Sequence, residues 1–369
     1  MHKNLYILTL LTLIWSCGPS ETDAKLENTA EATTEETATD SLIYPQEQHF
    51  STLRQLTFGG DNAEAYFSYD SKQLIFQATN PDWGIECDQI FTMPIEGVGT
   101  SKPKLLSTGK GRTTCSYFYP GDSTVLYAST HLGDEACPET PRMVNGKYVW
   151  AIYEDFDIFK ADKNGQILEQ LTDNPGYDAE ATISPDGQKI VFTSTRSGDL
   201  ELWVMDIDGS NLQQVTDELG YDGGAFFSPD SKQLIFRASR PKTEEAVKTY
   251  KDLLSQGLVQ PTNMELYVCN VDGSDLRQIT NLGGANWAPY FHPSGKKVLF
   301  STNHHTPSGR VFNIFSINVD GSGLQQITHD DTFDAFPMFS PDGKYLVFSS
   351  NRNNGDSRDT NVFLAEWKD

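Results

Sequence analysis

The chain is short of positive charge. Its 369 residues carry 28 Lys and Arg against 51 Asp and Glu, a formal net charge of −23. An acidic surface repels phosphate backbones, so nucleic acid is not an expected partner, while cations, basic peptides and neutral glycans stay open. A membrane-spanning run is missing too. The apolar stretch Leu5 to Trp15 falls well short of the roughly 20 residues a transmembrane helix needs. No Gly-x-Ser-x-Gly elbow, His-Glu-x-x-His helix or phosphate loop occurs, which removes the commonest hydrolase, metalloprotease and nucleotide-binding signatures. Cysteine is sparse, with five residues in all.

What is present begins with a targeting segment. Lys3 and the Leu5–Trp15 run lead to Ile14-Trp15-Ser16-Cys17, which resembles a bacterial lipobox. The expected organisation is a lipoprotein signal peptide over 1–16, an acylated Cys17, and anchoring to the bacterial outer membrane. Several acyl chains, each worth about 0.8 kcal/mol per buried CH₂, would hold it there. Residues 17–48 are Glu, Thr, Ala, Asp and Ser with almost no large apolar side chains. Such a stretch cannot bury enough surface to offset its chain entropy and is expected to be a disordered acidic tether.

Residues 49–369 carry a repeat. The segments Phe67–Phe76, Phe118–Tyr127, Ile183–Phe192, Phe227–Phe236, Phe291–Phe300 and Phe339–Phe348 align on positions 69, 120, 185, 229, 293 and 341. The resulting period of mostly 44 to 65 residues, with a strand-turn-strand core, predicts propeller blades. Pro-Asp-Gly presets a tight turn, Gln188 to Ser194 reads as a strand, Leu200 to Met205 as the next, and Asp208-Gly209-Ser210 as a second hairpin turn. The Asp206-Ile207-Asp208-Gly209 run looks like a calcium loop, but it recurs without a later Glu and reads as a turn. A Leu-x-Gln-(Leu/Val/Ile)-Thr ending closes blades at 168–172, 212–216, 276–280 and 324–328, and appears once more at 53–57. Because the last blade is one strand short, the 53–57 copy should complete it. The prediction is an all-β, six-bladed propeller of four-stranded blades, with the N-terminal strand closing the ring.

These repeats resemble the TolB-type propeller, above all Gly176-Tyr177-Asp178-Ala179-Glu180-Ala181-Thr182-Ile183-Ser184-Pro185-Asp186-Gly187 with Ser194-Thr195-Arg196. The resemblance implies a periplasmic or cell-surface propeller, expected to be monomeric. The N-terminal domain of TolB itself has no counterpart here, which argues against carrying over its own role. A fold of this kind does not specify an activity.

Propeller connectivity puts the long insertions on one face: Asn80–Asp88, His131–Val149, Ser239–Met264, Asn303–Arg310 and Asn351–Arg358. On that face the first channel-facing position of each inner strand reads Asn62, Thr113, Asp178, Asp222, Asn286 and Asp334. Two residues on come Glu64, Cys115, Glu180, Gly224, Ala288 and Phe336. The first set is polar and half acidic, able to bind Ca²⁺ or a basic group, or simply to line a solvated channel mouth. His304-His305 beside it could ligate a transition metal. Propeller lyases acting on oligogalacturonate use a histidine-held metal, so a glycan-active enzyme using His304 or His305 with Glu64 or Glu180 is the alternative to a scaffold that binds an envelope protein, peptide or glycan. Dipeptidyl-peptidase-like enzymes pair a propeller with a hydrolase domain, for which the chain ending at Asp369 leaves no room.

Thr243–Gln256 should form a short helix, either capping the mouth or packed on its own blade. Cys269 should be a buried free thiol. In an oxidising compartment one pair among Cys87, Cys115 and Cys137 should bridge, with Cys115–Cys137 first and Cys87 competing.

Overall fold

The computed structural model describes residues 42–141, 143–306 and 309–369. The segments read from sequence as signal peptide and tether, with Cys17, lie outside the described residues up to residue 41.

Six antiparallel four-stranded sheets follow one another along the chain. Blade one is Asp61–Phe67, Gln73–Thr79, Gln89–Pro94 and Lys104–Leu105. Blade two is Thr113–Phe118, Thr124–Ser129, Asp157–Asp162 and Ile167–Gln170. Blade three is Asp178–Ile183, Lys189–Ser194, Glu201–Asp206 and Gln213–Gln214. Blade four is Asp222–Phe227, Gln233–Ser239, Met264–Asn270 and Arg277–Gln278. Blade five is Asn286–Phe291, Lys297–Thr302, Asn313–Asn318 and Gln325–Gln326. Blade six is Asp334–Phe339, Tyr345–Ser350 and Asn361–Trp367, completed by Phe50–Gln55, which pairs with its third strand from Phe50↔Trp367 to Gln55↔Phe363. The strands are lettered A to D from the channel outward.

The recurring residues have identifiable jobs. In the first turn, Ser184 Oγ accepts from Lys189 N–H at 2.9 Å, and Asp186 Oδ1 accepts from Gln188 N–H at 3.0 Å. The threonine ending each closing motif reaches back to strand C. Thr172, Thr216, Thr280 and Thr328 accept the N–H groups of Ile158, Leu202, Leu266 and Ile314 at 2.8–2.9 Å. Thr57 does the same for Val362 at 2.8 Å, 305 positions away in sequence. Ring closure thus uses the same hydroxyl latch as the other blades, and it leaves no open edge between the termini. Aromatic and aliphatic side chains such as Phe76, Phe192, Phe236, Phe300 and Phe348 fill the space between blades and are fully buried.

Residues before 49 also pack on the propeller. Glu47, expected in the tether, is buried and accepts from both terminal nitrogens of Arg352, at 2.9 and 3.1 Å. Arg352 also donates to Leu42 O, and Tyr44 OH donates to Asp330 at 2.7 Å. Composition hid this because a few side chains dock the segment: the Glu47–Arg352 ion pair, with Leu42 and Ile43 packed against the core.

Candidate ligand-binding funnel

Every A strand carries a bulge at the same place. Register slips between Ala63 and Tyr66, Thr114 and Ser116, Ala179 and Thr182, Gly223 and Phe226, Trp287 and Tyr290, and Ala335 and Met338. The bulged residues are Glu64, Cys115, Glu180, Gly224, Ala288 and Phe336, and all six have positive φ, from 40° to 59°. A left-handed residue in a bulge re-aims its side chain and costs free energy at non-glycine positions. Here it turns one residue per blade into a cavity of about 720 Å³ around the channel, lined by all six.

Of the other predicted ring only Thr113 also lines this cavity. Asn62, Thr113, Asp178, Asp222, Asn286 and Asp334 are each fully buried. Simple alternation puts residues two apart on one face; the bulge breaks that rule. The aspartates pair with an arginine 18 positions later: Asp178 with Arg196 at 2.7 Å, Asp222 with Arg240, and Asp334 with Arg352 at 2.9 Å. Where the first position is neutral, the later one is neutral as well: Asn62 and Asn80, Thr113 and His131, Asn286 and His304. Asn62, Asp178, Asp222, Asn286 and Asp334 are interior braces, and for these five the expectation that they form the ligand face is corrected; Thr113 is buried yet lines the cavity.

The same pattern reassigns the histidines. His304 Nδ1 sits 3.0 Å from Thr302 Oγ1, which donates to Asn286 Oδ1 at 2.7 Å. His131 meets Ser129 the same way, and Arg196 and Arg352 donate to Ser194 and Ser350. His304 therefore occupies the slot that arginine fills elsewhere, and burial lowers its pKa, favouring the neutral ring. His305 lies 2.9 Å from Asn313 Oδ1, and both rings rest on Phe315. Neither lines the cavity. Among the described residues no group of three or more His, Cys, Asp or Glu side chains is placed to hold a metal.

The floor of the cavity has two carboxyls of opposite character. Glu180 accepts from Tyr221 OH and Thr193 Oγ1 at 2.7 Å, from Gly224 N–H at 2.9 Å, and from Arg237. Burial alone would raise its pKa; the Arg237 charge and these donors outweigh it and bring it below the ordinary value. Gly224 is required there, because a Cβ would collide with the Arg237 guanidinium. Arg237 is in turn held over the Tyr221 and Trp150 rings, 5.0 and 5.4 Å from their centroids. Among the described residues no cation is in contact with Glu64. It accepts from Cys115 Sγ at 3.0 Å and Tyr66 OH at 3.1 Å, and burial raises its pKa.

The walls are aromatic. Twelve of the thirty lining residues are Phe, Tyr or Trp. Ring contacts run from Tyr221 to Trp150 (6.5 Å), Trp287 (5.2 Å), Phe312 (4.4 Å), Phe333 (5.8 Å) and Phe336 (6.4 Å). Part of this wall is the blade-two insertion, whose Tyr148 to Tyr153 lean over the mouth. Trp150 and Ala151 pair with Val259 and Leu258 of the blade-four insertion, and Ile152 N–H donates to Gly257 O at 2.7 Å. The predicted helix spans Glu244–Leu254, capped by Thr243. It neither covers the mouth nor keeps to its own blade. Leu253 packs with Val149 and Leu258, and Tyr250 with Ile152 and Phe156, so the helix buttresses the roof.

The roof is also pinned to blade one. Cys137 bridges Cys87, across a sequence separation of 50. The first-choice pairing with Cys115 is thereby corrected: the bulge turns Cys115 inward to Glu64, away from the loops, and leaves it a free thiol. Cys269 is the buried thiol expected.

The profile of the TolB β-propeller domain matches residues 149–262 and 258–358, more than half of the chain. The chain belongs to the TolB β-propeller family. Among solved structures, a putative TolB from Agrobacterium tumefaciens is 19% identical with a TM-score of 0.54, covering 84% of this chain and 91% of that one. TolB from Acinetobacter baumannii is 19% identical with a TM-score of 0.55; 81% of this chain is covered, but only 64% of that one. An oligogalacturonate lyase from Vibrio parahaemolyticus is 11% identical with a TM-score of 0.50, covering 88% and 95%. At such identities the likeness is one of fold. No curated protein matches the chain.

Sequence reasoning reached the bulge ring of this TolB-type propeller but missed Arg237, Trp150 and Trp287. A signal existed for Arg237. It replaces Gln77, Ala128, Thr193, Ser301 or Ser349 at the fifth position of strand B, the one charge in that column.

Proposed function

We propose that this protein is a lipid-anchored envelope propeller that binds a ligand in the roofed funnel. The observation that carries it is the six-fold bulge. Five non-glycine residues hold left-handed backbone, one per blade, and with Gly224 they shape one cavity. The roof, tied to blade one by the disulfide and to blade four by strand pairing, holds the aromatic wall in place before a ligand arrives. An envelope protein segment, peptide or glycan is the ligand class, and the Cys17 anchor keeps the site in the periplasm or at the cell surface.

The test is to fill the funnel from the ring: Ala288→Arg and Phe336→Arg add bulk at the cavity lining. Loss of envelope-ligand binding with an unchanged melting temperature is expected. Full binding by both variants would refute the assignment. Anchoring is checked separately, since Cys17→Ala should abolish incorporation of labelled fatty acid.

A further inference from the structure

We propose that the funnel ligand is a neutral glycan, bound through its sugar-ring faces; this rests on the funnel being the ligand site. The charge of the lining favours a neutral ligand. The lining contains Arg112, Arg237 and Arg310 against Glu64, Asp88 and Glu180, a formal sum of zero in a chain of net charge −23. Arg112 is engaged by Asp88 and Arg237 by Glu180. Burial favours the neutral form of the remaining Glu64 carboxyl, so a charged ligand would lose hydration against lining ion pairs that are already made. A neutral ligand has no such cost.

The backbone disfavours a peptide. An extended peptide binds a propeller's inner edge by pairing with free main-chain groups. Here the bulge N–H groups are taken by side chains of the preceding blade: Cys115 N–H by Gln77 at 3.1 Å, Gly224 N–H by Glu180 at 2.9 Å, Phe336 N–H by Ser301 at 3.0 Å. Strand addition is blocked in three of six blades.

The wall presents ring faces. Trp150 and Trp287 have satisfied their indole N–H groups internally, on Tyr148 OH and Pro261 O at 3.1 Å. Their contribution to the cavity is therefore flat ring surface, which suits the C–H face of a pyranose. Hydroxyl-sized partners lie around it on Thr114, Thr140, Tyr66 and Tyr153, with the Gln77 amide beside them.

The experiment titrates the full-length protein with a neutral glycan array and then, by calorimetry and tryptophan fluorescence, with cello-, malto-, manno- and chitohexaose, alongside trigalacturonate and an extended nonapeptide. Saturable binding of a neutral saccharide, weakened at least tenfold by Trp150→Ala and by Phe336→Ala with the melting temperature retained, is expected. If only trigalacturonate or the peptide binds and both variants weaken it, the funnel stands and the neutral-glycan assignment falls. If no saccharide binds, the assignment falls. If a saccharide binds and neither variant matters, both this inference and the funnel reading fall.

Discussion

Replacing Arg196 with Met should destabilise the propeller, and adding Asp178→Asn with His at 196 should restore most of the loss. Asp178 is fully buried and Arg196 is 13% exposed, so the single variant strands a carboxylate in the interior. Losing one partner of a buried pair costs about 3–5 kcal/mol. With an unfolding entropy near 2.1 cal/mol/K per residue over about 320 residues, that is a fall of roughly 4–7 °C in melting temperature. The double variant recreates the neutral Asn286–His304 brace of blade five, with Ser194 standing where Thr302 bridges. It should lie within about 1.5 kcal/mol of wild type. Burial raises the Asp178 carboxyl even beside Arg196, and removing Arg196 raises it further. The folded state then holds a proton the unfolded chain has lost, so the R196M deficit should grow as pH rises from 5 to 8. Calorimetry of wild type, R196M and the double variant at both pH values is the assay. A double variant as unstable as R196M, or an R196M protein as stable as wild type, would refute the brace argument.

Three further outcomes follow from the geometry. Burial pushes the Glu201 carboxyl up to about 8, so its neutral form is present in the fold and stability is lost as pH climbs from about 4.5 through 8; Glu201→Gln should melt higher than wild type at pH 8.5 and about the same at pH 4. Cys87→Ser/Cys137→Ser removes a link of sequence separation 50, worth about 4 kcal/mol on chain-entropy grounds, and limited proteolysis should then cut first within 131–149. Glu47→Ala leaves Arg352 one carboxylate short and frees residues 42–48, a loss of about 1–3 kcal/mol that hydrogen exchange at Phe50–Gln55 should report.

Blade number, strand order and ring closure were legible because each rests on a local motif. Ser-Pro-Asp-Gly folds its own turn, and the motif threonine reaches strand C of its own blade, with Thr57 the one long-range case. The side of the long loops followed from connectivity. The site was legible only in part. Counting two residues on reached Glu64 and Glu180, which line the cavity, while Cys115 at the same position was read as a disulfide partner; the same counting misplaced Asp178 and Asp222, since an unseen bulge lies between. The Asp/Arg and Asn/His matching 18 residues apart was available in the sequence as an internal comparison of blades, and it alone would have withdrawn His304 from metal binding. The roof was beyond reach. Two-residue strands at 150–151 and 258–259, more than a hundred residues apart, carry no periodicity to read.

The most direct test of the account is hydroxyl-radical footprinting of the protein, free and with soluble envelope fractions, read residue by residue by mass spectrometry. The account predicts protection of Tyr148, Trp150, Tyr153 and Phe336, with Tyr69 at the opposite channel end unchanged. Protection confined to Tyr69, Tyr345 and Trp367, with the funnel aromatics still reactive, would contradict it.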